Sequence, residues 1–122
     1  MKSNKVPFLK NEDVLVVPLH GELNDREINQ FENNLLERCS KDQKVRGVVL
    51  DISSLESVDL FAARMLLRVA SKLSLMDLNS VVVGLRPEVA ITLVEMGLTF
   101  PGLRTAISLE HGIQVLKQLR QS

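Results

Sequence analysis

The residues best suited to chemistry in this 122-residue chain lie between Asp51 and Asp59, where two aspartates flank a serine-rich stretch. Such a pair could suit Mg²⁺, which proteins bind through one or two carboxylates. No lysine or nucleotide-binding motif accompanies the pair, so metal-assisted phosphoryl transfer is not indicated. Asp51 is better explained as closing a strand and accepting hydrogen bonds from loop amides, and Asp59 as capping a helix.

The remaining reactive side chains do not form a catalytic pattern. His20 and His111 are isolated from any serine or cysteine that the sequence could place beside them. Cys39 continues an apolar helical stripe and is expected in the core; it has no second cysteine to pair with. Gly84-Leu-Arg-Pro87 is not a phosphate loop, because proline lacks the amide donor that such a loop needs. We therefore predict a protein that is not an enzyme and has no cofactor or metal.

Composition excludes several classes of binding partner. Lys+Arg and Asp+Glu are 15 each, so no net charge draws the chain to nucleic acid or to an anionic membrane. Four phenylalanines, with no tryptophan or tyrosine, argue against base-stacking platforms. The sequence shows no signal-peptide apolar region and no apolar run of membrane-spanning length. We expect a cytoplasmic protein with no direct membrane insertion.

Strand-like and helix-like segments alternate along the chain. Val6–Lys10 and Val14–His20 predict an N-terminal hairpin, and Asn24 or Asp25 can cap the helix that follows. Further strands are predicted over Arg46–Ile52, Ser80–Gly84 and Leu103–Ile107, and further helices from Asp59 to about Met76, from Pro87 to Gly97 and after Ser108. This pattern predicts one α/β domain over residues 1–122, with residues 1–4 frayed and a mixed sheet of four to five strands flanked by about four helices.

The helix that follows Asp59 has two apolar faces. At about 100° per residue, one face collects core-type residues: Ala62, Met65, Leu66, Val69 and Leu73. The opposite face interleaves leucines with arginines: Leu60, Arg64, Leu67, Arg68, Ser71 and Leu75. Apolar centres ringed by arginine are typical of protein interfaces. Alternatively, these leucines pack beneath a neighbouring loop or are scattered surface residues.

Two motifs resemble the STAS domain family. Asp51-Ile-Ser-Ser-Leu-Glu-Ser-Val-Asp59-Leu-Phe-Ala-Ala-Arg-Met-Leu66 is similar to its first signature, in which a strand ends in Asp-(Leu/Ile)-Ser/Thr and a helix opens with Asp-Ser or Asp-Thr. Val83-Gly-Leu-Arg-Pro-Glu-Val-Ala90 is similar to its second, Gly-x-x-Pro-x-Val-Ala. Gly21–Asp25 and Thr105–Gly112 resemble the small scaffold antagonists of the stressosome within that family.

The resemblance implies a regulatory scaffold that controls a stress-signalling output. It would self-associate in a large assembly with longer STAS co-antagonists and hold a switch serine/threonine kinase. The predicted partner-binding residues are Ser53, Ser54, Ser57, Asp59, Leu60, Phe61, Arg64, Leu67, Arg68, Arg86 and Glu88. The alternatives are a partner subunit of a membrane lipid-transport complex, which would also present a helical docking face, and a simple anti-sigma factor antagonist.

The chain departs from the family at its phosphoacceptor. The family has a serine or threonine directly after the aspartate that opens the helix, and Leu60 occupies that position here. Without a hydroxyl, Leu60 cannot receive the charge that a phosphate would bring to the helix start. Three interpretations stay open: a scaffold that is not switched, a switch at Ser57, Ser53 or Ser54, or a substitution at position 60. Thr92, which we expect to be exposed between Glu88 and Glu95, resembles a site phosphorylated in the longer relatives.

Overall fold

The structure is a computed structural model that describes residues 6–56, 58–95, 97 and 104–121, with Thr92 and Gln121 described by their backbone alone. Five strands and four helices are defined within these residues. The strands are β1 (Leu9–Asn11), β2 (Val14–Gly21), β3 (Gly47–Leu55), β4 (Asn79–Val83) and β5 (Arg104–Ala106). The helices are α1 (Asp25–Lys41), α2 (Leu60–Leu75), α3 (Pro87–Glu95) and α4 (Leu109–Gln121).

The strands form one mixed sheet in their order along the chain. β1 pairs with β2 in the antiparallel direction, and β2 to β5 are parallel to one another. Each parallel connection needs a crossover, and right-handed crossovers between successive neighbours place their helices on one face of the sheet. The predicted α/β class, mixed sheet and N-terminal hairpin are confirmed.

Two apolar layers cover the sheet. On one face, α1 and α2 pack on alternate residues of the central strands, among them Val17, Leu50 and Val82. On the other face, α4 packs on Val49 and Val81 through Leu116. Val48, Val49 and Leu50 are all completely buried, as expected for a central parallel strand covered on both sides.

Several predicted boundaries need correction. β1 begins at Leu9 rather than Val6, because only Leu9–Asn11 lies opposite β2. Val6 and Phe8 instead pack against the apolar layer between the sheet and helices α1 and α2. β3 continues to Leu55 rather than ending at Ile52, since it stays paired with β2 past a register shift. α3 is defined to Glu95, and Gly97 follows it with a φ of +79°, so the predicted stop at Gly97 is confirmed. β5 is defined over Arg104–Ala106 and ends before Ile107; Leu103 lies outside the described residues.

Both helices of the first layer begin at the predicted caps. The Asn24 side chain accepts a hydrogen bond from the Glu27 amide at 2.8 Å, and the Glu27 carboxylate accepts one from the Asn24 amide at 3.1 Å. This capping box fixes the start of α1. Asp59 caps α2 through its side chain alone, since position N3 of that helix is Ala62. The two helix starts therefore lie at the same end of the layer, at the carboxyl edge of the strands.

Candidate partner-binding site

One aspartate caps the start of α2, and another makes local hydrogen bonds within β3. Asp59 Oδ1 accepts a hydrogen bond from the Ala62 amide at 2.8 Å. Asp51 Oδ1 accepts one from the Ser53 amide at 3.0 Å and another from the Ser53 hydroxyl at 2.6 Å. Asp59 thus caps α2 as the sequence predicts. Asp51 accepts a backbone hydrogen bond as expected, but it lies inside β3 rather than closing the strand, because β3 continues to Leu55; Ser53 and Ser54 are exposed toward the end of that strand.

The end of β4 lies directly against β3 at this edge. Gly84 has a φ of +91°, and a Cβ built on it would lie 2.6 Å from the Ser53 Cβ. The chain then turns into α3, where Arg86 and Glu88 are exposed. A cavity of about 270 Å³ separates this turn from the β3–α2 connection and is lined by Val58, Gly84, Arg86 and Val89 among others.

A larger groove opens on the other side of the α2 start. Its volume is about 410 Å³, and it lies between the β2–α1 loop and the first turns of α2. Its apolar lining includes Leu23, Leu55 and Phe61, and the Phe61 side chain is 44% exposed. The charged residues that line it are all acidic: Glu22, Glu27 and Asp59. The groove therefore favours a ligand surface with apolar and cationic groups.

The outward stripe of α2 has the arrangement that periodicity predicts. Leu60 and Leu67 are half-buried, whereas Arg64 and Ser71 are exposed. Leu75 is 88% exposed at the last turn of the helix. The opposite side is in the core: Ala63, Met65, Leu66, Val69, Ala70 and Leu73 are buried. Ala62, predicted in the core, is half-buried because it lies in the first turn of α2, where the groove opens beside it.

Arg68 is committed to an ion pair within the chain. Its guanidinium donates to both carboxylate oxygens of Glu32 on α1, and Lys72 Nζ lies 3.1 Å from Glu32 Oε2. Glu32 is only 4% exposed. Burial alone would raise the pKa of Glu32, but the hydrogen bonds from Arg68 and Lys72 outweigh it and hold that pKa below its usual range. The cluster ties α2 to α1 beside the groove.

Sequence reasoning missed Glu32, although a signal was present. Glu32 lies four residues after Ile28 and three before Leu35, so it interrupts the apolar stripe of α1. A carboxylate in such a stripe needs a cation, and Arg68 and Lys72 share one flank of α2. The acidic groove was also missed, because it depends on how the β2–α1 loop lies against Phe61.

Two phosphosite candidates cannot be placed. Ser57 lies outside the described residues, and Thr92 lies on α3 with no described side chain. The predicted exposure of Thr92 therefore stays a prediction. The described carboxylates on either side of it, Glu88 and Glu95, are exposed.

The described residues offer few groups for chemistry. No group of three or more His, Cys, Asp and Glu side chains among them is placed to hold a metal ion. Cys39 is buried, and burial raises the pKa of its thiol to about 11, so it is a poor nucleophile. Across residues 6–56, 58–95, 97 and 104–121, no helix is long and apolar enough to cross a membrane.

Known proteins resemble this chain in sequence and in structure. The STAS domain family model matches residues 5–106. The RsbT co-antagonist protein RsbRD of Bacillus subtilis is 33% identical over 98 residues, which are 80% of this chain and 35% of RsbRD. The chain thus spans about a third of the length of RsbRD and of the related co-antagonist RsbRC, which is 31% identical over 98 residues.

Two solved structures overlap nearly the whole chain. A serine-to-glutamate variant of RsbS from Moorella thermoacetica is 39% identical, with a TM-score of 0.84 over 98% of this chain and 100% of that one. A chain from a structure of the stressosome, a signal integration and transduction hub, is 40% identical, with a TM-score of 0.82 over 95% of this chain and 100% of that one. The match to the family model, together with the five-stranded mixed sheet and four helices, shows that this chain belongs to the STAS domain family.

Proposed function

We propose that this chain is a scaffold and antagonist subunit of a stressosome-like complex, acting by protein binding in the cytoplasm without catalysing a reaction. The observation that carries the proposal is the end-to-end match to RsbS, since a domain aligned over 98% of its length presents the same elements at its surface. The domain extends over residues 1–122. Its partners are longer STAS co-antagonists, the class to which RsbRD belongs, and a switch serine/threonine kinase.

The partner site is proposed at the edge formed by the end of β3 and the start of α2. Ser53, Ser54 and Asp59 are exposed there, next to Leu60 and the half-exposed ring of Phe61. Arg64 and Leu67 continue this surface along α2, and Arg68 borders it through its ion pair to Glu32. Arg86 and Glu88 form a second contact region across the smaller cavity. Ser57 belongs to the same proposed site by its place in the sequence.

Leu60 determines how this surface is controlled. The first residue of α2 lies where the helix dipole and the Asp59 cap converge, so a phosphate there would change the local charge strongly. Leu60 offers an apolar contact instead. We infer that kinase release is controlled by the partner proteins rather than by phosphorylation of this chain at position 60.

Binding of the purified kinase, measured by isothermal titration calorimetry, tests this site. Leu60→Glu and Phe61→Glu should each weaken binding at least about tenfold, because a charge would be buried in an apolar contact. Leu75→Glu is the matched control, since Leu75 lies at the far end of α2. All three variants should keep the wild-type circular-dichroism melt. Unchanged kinase affinity in both site variants would refute this location of the site.

Capture from native lysate, followed by mass spectrometry, separates the remaining functions. Longer STAS chains and a small kinase in one very large particle are expected. A small complex with ATP-binding and permease subunits would replace the proposal with a lipid-transport role. Capture of an anti-sigma kinase alone, without any of the longer STAS co-antagonists, would indicate a simple anti-sigma factor antagonist.

A further inference from the structure

The groove beside the start of α2 has an apolar floor. Ile28 of α1, Leu55 of β3 and Met65 of α2 line the groove and are buried. Leu23 and Phe61 also line it, and Phe61 keeps 44% of its surface exposed. Two helices and a strand thus converge on one apolar depression, which favours contact with an apolar group of a partner over contact with water.

The charges along this groove have one sign. Glu22, Glu27 and Asp59 line it, and no lysine or arginine is among its described lining residues. The starts of α1 and α2 each contribute about half a positive charge, so the three carboxylates leave a net charge of about −2. Arg26 and Arg64, the arginines nearest to these carboxylates along the chain, are exposed and do not line the groove. The groove therefore attracts a cation.

An arginine side chain fits both the floor and the charge. Its stem is apolar, and its planar guanidinium carries five N–H donors for carboxylate oxygens. Phe61 adds a half-exposed aromatic ring, on which a guanidinium stacks better than the compact ammonium of lysine. The groove volume of about 410 Å³ is that of a small-ligand pocket, so an apolar neighbour of this arginine can share the floor.

From the floor, the charge and the aromatic ring we propose that this groove receives an arginine of the switch kinase, with an adjacent apolar residue of the kinase packed on the floor. The proposal rests on the proposed function and names the chemistry of its partner. Asp59 and Phe61 belong both to the groove and to the proposed partner site, so the two surfaces are continuous. Leu60 then supplies apolar contact, and the groove supplies orientation and selects the charge of the partner.

Amide variants remove the charge of the groove and keep its shape. Glu22→Gln, Glu27→Gln and Asp59→Asn each remove one carboxylate; Glu27→Gln retains the capping box and Asp59→Asn retains a helix cap. Each should weaken binding of the purified kinase about three- to tenfold in isothermal titration calorimetry, and the triple variant should weaken it further. All should keep the wild-type circular-dichroism melt.

Salt separates attraction of a cation from a structural effect. The loss of affinity should be largest at about 0.05 M salt and should shrink at about 1 M, because salt screens exposed charges. Asp77→Asn is the matched control: it removes an exposed carboxylate past the other end of α2, at a φ of +65° that asparagine tolerates. Its kinase affinity should equal that of the wild type. Phe61→Leu keeps an apolar group without an aromatic ring and should weaken binding about threefold.

Double-mutant cycles identify the arginine. One arginine-to-alanine variant of the kinase should lose affinity for the wild-type chain and lose little more for the triple variant. Wild-type affinity in the triple variant, equal losses at low and high salt, or no coupled arginine would overturn the groove assignment. Altered self-association of the triple variant in sedimentation equilibrium, with unchanged kinase affinity, would assign the groove to a second copy instead.

Failure of this proposal differs from failure of the proposed function. A kinase that binds the wild-type chain and the triple variant equally well leaves the antagonist function standing and removes only the groove assignment. A kinase that does not bind the wild-type chain at all overturns both.

Discussion

Gly84 lies so close to Ser53 that no side chain fits at position 84. An added Cβ would lie 2.6 Å from the Ser53 Cβ and 2.7 Å from the Ser53 Cα. The end of β4 thereby fixes the end of β3, from which the chain runs to the α2 cap at Asp59. The geometry of the proposed partner site thus depends on the contact that Ser53 makes with Gly84, a residue outside the site.

Replacing Gly84 with alanine should destabilise the fold by about 2–4 kcal/mol, because the backbone of β3 must move and a positive φ becomes strained. The free energy of unfolding in urea measures this loss. Gly21→Ala is the matched control: its φ is +71°, but no atom lies within 4 Å of an added Cβ, so only about 1–2 kcal/mol of strain is expected. Equal losses in the two variants would show that the contact with Ser53 is unimportant.

Removing the guanidinium of Arg68 should cost about 1–2 kcal/mol of stability. Glu32 would stay buried with only Lys72 as its cation, although the exposure of Arg68 keeps the loss below that of a fully buried pair. Arg68→Ala and Arg64→Ala are compared by urea denaturation. Arg64 lies one turn earlier on α2 and is exposed, so its loss should stay within about 0.5 kcal/mol. A larger loss for Arg64→Ala would contradict the assigned role of Glu32.

Acid should weaken the contact between α1 and α2. The pKa of Glu32 is lowered in the folded protein, so the unfolded chain takes up the proton at higher pH than the folded chain does. The stabilisation is complete above about pH 4.3, the ordinary glutamate pKa, and is lost as the pH falls through the lowered pKa. The free energy of unfolding should therefore fall less with acid in Glu32→Gln than in the wild type. Parallel pH profiles would exclude Glu32 as a contributor.

Local features of α2 could be predicted from the sequence because they depend on neighbours along the chain. Asp59 is of a residue type favoured at helix caps and directly precedes the helix. Helical periodicity places Val69 on the core face of α2 and Arg64 on the outward face. The pairing of Glu32 with Arg68 joins residues 36 positions apart, so periodicity shows only that Glu32 needs a cation. The contact of Gly84 with Ser53 depends on the relative position of two strand ends, which no local pattern specifies.

The leucine at position 60 predicts a chain that a kinase does not modify there. After incubation with the switch kinase and ATP, the intact mass should be unchanged, because the first residue of α2 has no hydroxyl. Leu60→Ser restores an acceptor directly after the Asp59 cap and should gain one phosphate. A phosphate on the wild-type chain would instead place the switch at another hydroxyl, with Ser57 and Thr92 the first sites to map.

Co-assembly with a longer STAS protein is the central claim, and the mass of the mixture tests it most directly. The purified chain is combined with a longer STAS co-antagonist from the same organism and measured by size-exclusion chromatography with light scattering. One particle that contains both proteins and is many times heavier than either alone is expected. Two separate peaks at the masses of the isolated proteins would contradict the scaffold function and leave only the STAS fold established.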